Sequence, residues 1–270
     1  MRLVAESVGV RYGSEAALRD VTLAVPSGAV MAVAGANGSG KSTLLRALAG
    51  LQRHDGRVVW DAGGTGRVGY MPQDTALRPA LTAFEIVLLG RMRELHLRVA
   101  PRDLAVAEAV MQELGVTHLA SRRIGTLSGG QRQLVLLAQV LAGDPAVLLL
   151  DEPTSALDIA HQLRLLALLR GMSRTRGLTI IATLHDLNAA ARFADQVALL
   201  HQGRLLGCGP GAAILRPDLL RQAFGVEADV ETWRDGHPLV LPLRPVMEEE
   251  RGGGCVEAGE PGRRWTGRRA

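Results

Sequence analysis

The chain has 270 residues, of which 47% are hydrophobic and 21% charged, and its formal net charge is +4. This composition is ordinary for a globular protein with a substantial core in one large or two small domains, and the distant cysteines Cys208 and Cys255 exclude a disulfide framework. No run reaches the roughly 18 to 20 apolar residues that span a bilayer, and no secretory signal opens the chain, so we expect a cytosolic protein.

In chain order, β-type runs come first, at residues 3–12, 21–25 and 30–34, and the third leads into the glycine-rich loop GANGSGKST. Apolar residues at helical spacing follow the loop over residues 43–51. Residues 57–71 hold two further β-type stretches, RVVW and RVGYM, which the turn-forming DAGGTG joins into a predicted hairpin. From about residue 82 to 143 the pattern is helical, which predicts a helical subdomain over about residues 74–143.

Strands return in AVLLLDEP and LTIIATLHD, which are nearly continuous apolar runs typical of parallel strands buried on both faces. The stretch HQLRLLALLRGM between them predicts a crossover helix. We therefore expect an α/β fold with an open parallel sheet and a helical insertion. Almost nothing apolar follows Pro245, which places one domain at residues 1–246 and predicts a disordered tail over 247–270.

The glycine-rich loop fits the pattern G-x-x-x-x-G-K-[ST] through Gly35, Gly40, Lys41 and Ser42, between a predicted strand and a predicted helix. Its backbone N–H groups and the helix N-terminus can surround a phosphate. Lys41 is the only lysine in the chain, and the slot beside the β- and γ-phosphates suits a narrow ammonium better than a planar guanidinium. The loop therefore predicts a nucleoside triphosphate site, in which Ser42 offers its hydroxyl to Mg²⁺ and Thr43 contacts an α-phosphate oxygen.

Two acids at the end of a buried strand supply the second half of a phosphoryl-transfer site. Asp151 can hold Mg²⁺ through water, and Glu152 is placed to orient or deprotonate a water that attacks the γ-phosphate. His185 ends another strand, at the edge where parallel sheets bind ligands, which predicts a contact with the γ-phosphate or the attacking water. The amide of Gln73 can sense Mg²⁺ or that water, but the residues alone do not distinguish it from an ordinary loop glutamine.

A second glycine-bearing helix start lies at residues 127–131, which read LSGGQ. Ser128 and Gln131 have the spacing of a capping box, with Ser128 as the N-cap. Gly129 and Gly130 are poor helix formers, and their benefit is an open helix N-terminus that forms a second anion site. Because the chain has one phosphate loop but two such helix starts, a twofold homodimer would give each start a nucleotide.

On these motifs the chain resembles the nucleotide-binding subunits of ATP-binding cassette (ABC) transporters over nearly all of residues 1–245. GANGSGKST resembles their phosphate loop, LSGGQ their signature, and LLLDEP their magnesium and base motif, in the family's order. The resemblance implies a P-loop NTPase fold with a RecA-like core, an antiparallel β subdomain and an α-helical subdomain. It also implies that the protein is an ATPase that uses ATP and Mg²⁺.

The resemblance assigns expected roles to individual residues. Glu152, His185 and Gln73 are expected to be catalytic, and Ser42, Gln73 and Asp151 are expected to hold Mg²⁺. The residues expected to contact the nucleotide are Tyr12, which stacks on adenine, and Gly35, Ala36, Asn37, Gly38, Ser39, Gly40, Lys41, Ser42 and Thr43. Because the family pairs head to tail, the residues expected to contact it from the opposite subunit are Ser128, Gly129, Gly130, Gln131 and Asp158.

The resemblance further implies a homodimer of ATPase subunits at the inner face of the cell membrane, bound to integral membrane permease subunits. An extracytoplasmic substrate-binding protein takes part indirectly, and no specific nucleic acid is expected. Two other functions compete with a transporter motor. A cassette ATPase of DNA repair or translation is disfavoured because Lys41 and Leu127 are not separated by a long coiled coil, and a binding module without turnover is disfavoured by the intact Glu152 and His185.

Weaker motifs indicate the cargo. HDLNAAARFAD, DTALRPALTAFEIVLLGR and FGVEADVETWRDGHPLVLPLRP resemble segments of the ATPases that serve iron-siderophore, haem and cobalamin importers. They predict import of a metal chelate, with an exporter motor as the alternative. The sequence departs from the family pattern in a short predicted hairpin before Gln73, which predicts a trimmed β subdomain, and in QRQL where the family often has QRQR, which removes one possible contact.

Overall fold

The computed structural model describes residues 1–61, 67–73, 80–92 and 99–246. The strands are β1 Arg2–Tyr12, β2 Glu15–Val25, β3 Val30–Ala34, β4 Asp55–Asp61, β5 Val68–Met71, β6 Val147–Leu150, β7 Thr179–Thr183, β8 Gln196–His201, β9 Arg204–Gly209, β10 Val226–Thr232 and β11 Pro238–Pro245. The α-helices are α1 Lys41–Leu48, α2 Ala83–Leu89, α3 Pro101–Glu113, α4 Gly129–Ala142, α5 Ile159–Arg176, α6 Leu187–Phe193, α7 Gly211–Ile214 and α8 Pro217–Phe224.

A six-stranded sheet in the order β5-β6-β7-β3-β8-β9 forms the centre of the described structure. Its first five strands are parallel, and β9 joins antiparallel to β8. β3, β6 and β7 are buried along their whole length, as their continuous apolar sequences predict. The predicted α/β fold with an open parallel sheet is therefore confirmed, with one antiparallel edge strand that the sequence patterns did not indicate.

Neighbouring residues of the central strands belong to two different cores. Leu148 and Leu150 face a large cluster that includes Met111 and Leu137 from the helical segment. Leu149, by contrast, faces a second cluster built with the antiparallel sheet and α1. This alternation follows from the two-residue period of a strand. The sheet thus separates a helical layer from a β-rich layer, and the ends of its strands remain free to carry polar side chains.

The predicted hairpin over residues 57–71 is wrong. β4 pairs antiparallel with β1, with Leu3 opposite Trp60, in a three-stranded sheet of order β2-β1-β4. β5 instead pairs parallel with β6, with Val68 opposite Val147. The turn-forming residues 62–66 lie outside the described residues. Turn composition marks a break between strands but does not select their partners, and β5 pairs with backbone groups of β6 that would otherwise form an open sheet edge.

Three α-helices, α2, α3 and α4, follow one another in the segment predicted to be helical. A capping box between Thr82 and Glu85 starts α2, and Pro101 stands in the first turn of α3, where its missing N–H costs nothing. Residues 74–79 and 93–98 of the predicted helical subdomain lie outside the described residues. The segment packs onto the sheet through α4, which contacts α2, α3 and β5.

The C-terminal part of the described chain ends in a two-stranded antiparallel ribbon, β10 with β11. The side chain of Asn188 on α6 holds this ribbon through both backbone groups of Val240, at 2.7 and 3.2 Å. The predicted tail, 247–270, lies outside the described residues. Within the ranges that the structure describes, each helix is too short or too polar to cross a membrane.

Candidate active site

The glycine-rich loop connects β3 to α1 at the end of the central sheet and borders a cavity of about 720 Å³. All three of its glycines have a positive φ, at which a side chain is strained, and Gly38 has a φ of 75°. Gly35 has a φ of 151°, and a Cβ there would lie 2.3 Å from the carbonyl oxygen of Leu200. Gly40 is the N-cap of α1 with a φ of 101°, and no side chain caps that helix. The first N–H groups of α1 are therefore directed at the cavity, as an anion site requires.

Lys41 lies at the floor of this cavity and is only 7% exposed. Its Nζ donates to the carbonyl oxygens of Gly35 and Ala36, at 2.9 and 3.0 Å. Burial lowers the pKa of Lys41, while the carboxylates of Glu152 and Asp151 oppose that shift. The lysine is thus held as a compact cation beside the loop, within reach of the charges of two acids.

Asp151 follows β6 and is 1% exposed. Its Oδ1 accepts a hydrogen bond from the hydroxyl of Thr183 at 3.0 Å, whereas its Oδ2 is buried without a hydrogen-bond partner among the described residues. A buried carboxylate oxygen that lacks a donor is costly unless a cation neutralises it. Ser42, unlike the buried Asp151, is among the residues that line the loop cavity. These oxygens fit the hard, oxygen-seeking Mg²⁺ ion that the resemblance implies.

The carboxylate of Glu152 brings together the three residues expected to be catalytic. Its Oε2 accepts from Nε2 of Gln73 at 2.7 Å, and its Oε1 lies 2.6 Å from Nε2 of His185. Gln73 follows β5 and His185 follows β7, so the ends of separate strands meet at this acid. All three side chains line the cavity that contains Lys41.

The signature segment starts α4 as predicted. Ser128 caps the helix through the N–H of Gln131, and the Gln131 side chain returns a bond to the Ser128 N–H. A Cβ on Gly130 would lie 2.9 Å from the carbonyl oxygen of Ala156. Gly130 therefore also permits a close approach between α4 and the segment after β6. The sequence did not indicate this reason for a glycine at position 130. Among the described residues that line the loop cavity, none comes from 128–131.

Two further expected contacts lie away from the phosphate loop. Tyr12 is 46% exposed, and its hydroxyl donates to Oε1 of Gln52 at 3.2 Å. Asp158 is the N-cap of α5 and accepts from the N–H of His161 at 2.8 Å. This bond and the His161 ring lower the pKa of Asp158. Within one chain the cavity is thus lined by residues 37, 38 and 40–43 together with Gln73, Glu152 and His185. The other expected site residues are not among its described lining residues, and these are Tyr12, Gly35, Ala36, Ser39, Asp151, Asp158 and residues 128–131.

Sequence reasoning missed several polar residues of this region, and three of them show what the sequence could and could not indicate. Thr183 lies two positions before His185 on β7, so the period of a strand could have placed it on the same face. Gln133 is a polar residue on the apolar side of α4, and its side chain donates to the carbonyl of Glu152 at 2.7 Å. Arg19 lines the cavity, and nothing in its local sequence distinguishes it from the other arginines.

Comparisons with known proteins identify the family of this chain. The family model described as ABC transporter matches residues 18–155. The Hemin import ATP-binding protein of Gloeobacter violaceus is 40% identical over 259 residues, covering 89% of this chain and 94% of that protein. The Ferric enterobactin transport ATP-binding protein of Escherichia coli is 37% identical, covering 90% and 94%. A metal-chelate type ABC transporter solved in an inward-facing conformation matches with a TM-score of 0.79 and 31% identity, covering 89% and 97%.

Proposed function

Because the chain belongs to the ABC transporter family as an ATP-binding subunit with ATPase activity, we propose that it energises the import of a metal chelate through separate membrane permease subunits. The proposed cargo is an iron-siderophore, haem or cobalamin. The observation that carries the hydrolytic part of the proposal is the convergence of Gln73 and His185 on the Glu152 carboxylate, inside the cavity that Lys41 also lines. A phosphate loop beside an acid that is placed to activate water supports a site for triphosphate hydrolysis.

In the proposed reaction, the triphosphate of ATP lies along residues 35–43, and the Lys41 ammonium exchanges its carbonyl partners for β- and γ-phosphate oxygens. When bound to Asp151 and Ser42, Mg²⁺ neutralises charge on these phosphates. Glu152 orients the attacking water and accepts its proton. Gln73 and His185 each contact one oxygen of the Glu152 carboxylate, and so fix the direction in which it approaches the water.

The proposed assembly is a head-to-tail homodimer. Ser128 and Gly129 are exposed and stand outside the cavity of their own chain, although they begin a helix whose N–H groups can bind an anion. A twofold partner would place this start over the nucleotide of the other copy, together with the exposed Asp158. ATP then joins the two subunits, and its hydrolysis separates them.

The cargo and the membrane partners are supported by relatives rather than by the site. One curated relative is named for hemin import and another for ferric enterobactin transport, and the matching solved structure is of a metal-chelate type transporter. We propose that this chain likewise works at the inner face of the membrane, where its dimer docks on permease subunits. An extracytoplasmic binding protein would select the cargo, since the ATPase does not touch it.

The experiment that tests this proposal reconstitutes the chain in proteoliposomes with a permease and a binding protein from the same organism that co-purify with it. Uptake of haem, a ferric siderophore and cobalamin is measured separately, with ATP on the side of the ATPase. ATP-dependent uptake of one of the three is expected, and a complex with Glu152→Gln should give none. If ATP is hydrolysed but none of the three is taken up, the cargo proposal fails while the ATPase remains. ATP-driven movement in the opposite direction would favour the exporter.

A further inference from the structure

Gln133 is a buried polar side chain on α4, the helix that starts with the signature residues, and it is 9% exposed. Its Nε2 donates to the backbone carbonyl of Glu152 at 2.7 Å. Its Oε1 accepts from the backbone N–H of Ala156 at 3.3 Å. Both ends of this amide are therefore satisfied by the segment that follows β6, so the side chain connects α4 to the backbone of the acid.

The backbone of Glu152 is held in an unusual conformation, with a φ of 51°. Residues other than glycine avoid this left-handed region, and they keep it only where several contacts impose it. The Glu152 N–H donates to the Thr183 hydroxyl at 2.7 Å, and its carbonyl accepts from Gln133 and from Oγ of Ser155 at 3.1 Å. These contacts at the N–H and the carbonyl fix the direction of the carboxylate between them.

The three residues that hydrogen-bond to the Glu152 backbone lie on different elements, so movements of different elements would displace them. Thr183 lies on a buried central strand, and Ser155 belongs to the same short segment as Glu152. Gln133 alone among these three is carried by α4, one turn from its exposed N-terminus. A movement of the signature residues can thus reach the Glu152 carbonyl directly through the Gln133 amide, because an α-helix moves as a rigid element over so short a distance.

We propose that Gln133 is a positioning residue that couples the signature helix to the catalytic acid of its own subunit. This inference rests on the proposed function, in which residues 128–131 close over ATP held by the partner copy. Closure of that site draws α4 into place, and Gln133 then aligns Glu152 in the other site. Each active site thereby responds to nucleotide bound in the other site of the dimer. The link is α4, because its start faces the partner's nucleotide and its Gln133 contacts Glu152 of its own subunit.

The test compares ATP turnover of the full chain with three variants. Gln133→Leu fills a similar volume but neither donates nor accepts, and we expect kcat to fall about tenfold or more, as small misplacements of catalytic groups do. KM for ATP and ATP-driven dimerisation should stay within about twofold of wild type, because the phosphate loop and residues 128–131 are intact. Gln139→Leu, the same change further along α4, is the matched control and should keep the wild-type kcat.

A Gln133→Glu variant separates positioning from simple packing. Its carboxylate can accept from the Ala156 N–H but cannot donate to the Glu152 carbonyl, whereas its protonated form can do both. We therefore expect the kcat of this variant, relative to wild type, to rise as the pH is lowered. This readout also keeps the proposal testable if Gln133→Leu fails to fold. Urea unfolding of Gln133→Glu at the same pH values is the control, because relief of a buried charge raises stability whatever the role, whereas positioning changes kcat in protein that is fully folded throughout.

Three results would overturn the coupling role. They are a wild-type kcat in Gln133→Leu, a loss of kcat matched by an equal loss of dimerisation, and a Gln133→Glu variant whose relative kcat does not change with pH. Failure of the proposed function looks different, because it would appear as a wild-type chain that does not hydrolyse ATP. The two failures can therefore be distinguished in the same set of assays.

Discussion

Nε2 of His185 lies 2.6 Å from Oε1 of Glu152, while Oε2 of the same carboxylate accepts from Gln73. Each oxygen of the acid thus has one partner and can accept a second hydrogen bond, because a carboxylate has about four acceptor positions. A water can therefore approach Glu152 while Gln73 and His185, both exposed at the cavity, keep their contacts. The buried bond between Thr183 and Asp151, in contrast, fixes the half of the site that would hold the metal.

We expect Glu152→Gln to lower kcat for ATP by about 10²–10⁴-fold, because the amide cannot accept the proton of the attacking water. ATP binding should be retained, since Lys41 and the loop are unchanged. The variant should therefore accumulate as a dimer with ATP and Mg²⁺, measured by size-exclusion chromatography. Glu113→Gln on α3 is the control and should turn over normally. A Glu152→Gln protein that stays monomeric under these conditions contradicts the head-to-tail dimer.

We expect Lys41→Arg to weaken ATP binding by about tenfold or more, which is about 1.4 kcal/mol. Lys41 is buried against two backbone carbonyls at 2.9 and 3.0 Å, and a planar guanidinium is too broad for that position. Calorimetric titration with ATP measures the change. Arg164→Lys on the exposed face of α5 is a control for basic exchange and should bind normally. Near wild-type affinity in Lys41→Arg would refute this explanation of the chain's single lysine.

The affinity for ATP should also depend on the protonation of Lys41. The ammonium binds phosphate and the neutral amine does not, so affinity is complete below the pKa of Lys41 in the free protein and is lost as the pH rises through it. Burial lowers this pKa from 10.5, so the loss should begin at a lower pH than for an ordinary lysine. Titrations at a series of alkaline pH values test this. The residual affinity of Lys41→Arg should show no such change, and a flat wild-type profile up to the ordinary lysine value would contradict it.

The sequence predicted those parts of the site that depend on local chemistry. The order of strand, glycine loop and helix around Lys41 follows from backbone requirements within a few residues, and so does the cap formed by Ser128 and Gln131. The contact between Gln133 and Glu152 joins two elements, and no local pattern indicates it. The sequence does not indicate the positive φ of Glu152 either, because glutamate has no preference for the left-handed region. The predicted pairing of the strands over residues 57–71 was wrong for the same reason, because the partner of a strand depends on the whole sheet and not on the local sequence.

We expect Thr183→Val to lower both stability and turnover. The two side chains have similar shapes, but valine leaves Oδ1 of Asp151 and the N–H of Glu152 without the hydroxyl that now pairs them. Loss of a buried partner costs about 1–3 kcal/mol, measured by urea unfolding, and a misaligned Glu152 should lower kcat. Thr175→Val on exposed α5 is the matched control. A Thr183→Val protein with wild-type stability and kcat would show that neither bond matters.

The two glycines of the signature should respond differently to alanine. A Cβ on Gly130 would lie 2.9 Å from both the carbonyl oxygen of Ala156 and Cδ2 of Leu157, whereas one on Gly129 meets only Cβ of Ala156, at 3.3 Å. Backbone cannot give way as a flexible side chain can, so Gly130→Ala should lower the free energy of unfolding by about 1–3 kcal/mol. Gly129→Ala should stay within about 1 kcal/mol of wild type, because alanine's helix propensity offsets the tighter contact.

Urea unfolding of both alanine variants measures this difference, and ATP turnover adds a second readout. Displacing α4 from residues 156–157 also displaces Gln133 from Glu152. Gly130→Ala should therefore lower kcat as well as stability. Gly129→Ala should affect only nucleotide binding and dimerisation through the N-terminus of α4. If the two variants unfold at the same urea concentration as wild type, the two glycines contribute to nucleotide binding and not to the packing of α4. Equal destabilisation of both would instead mean that helix propensity, and not the contact with Ala156, decides the stability of this segment.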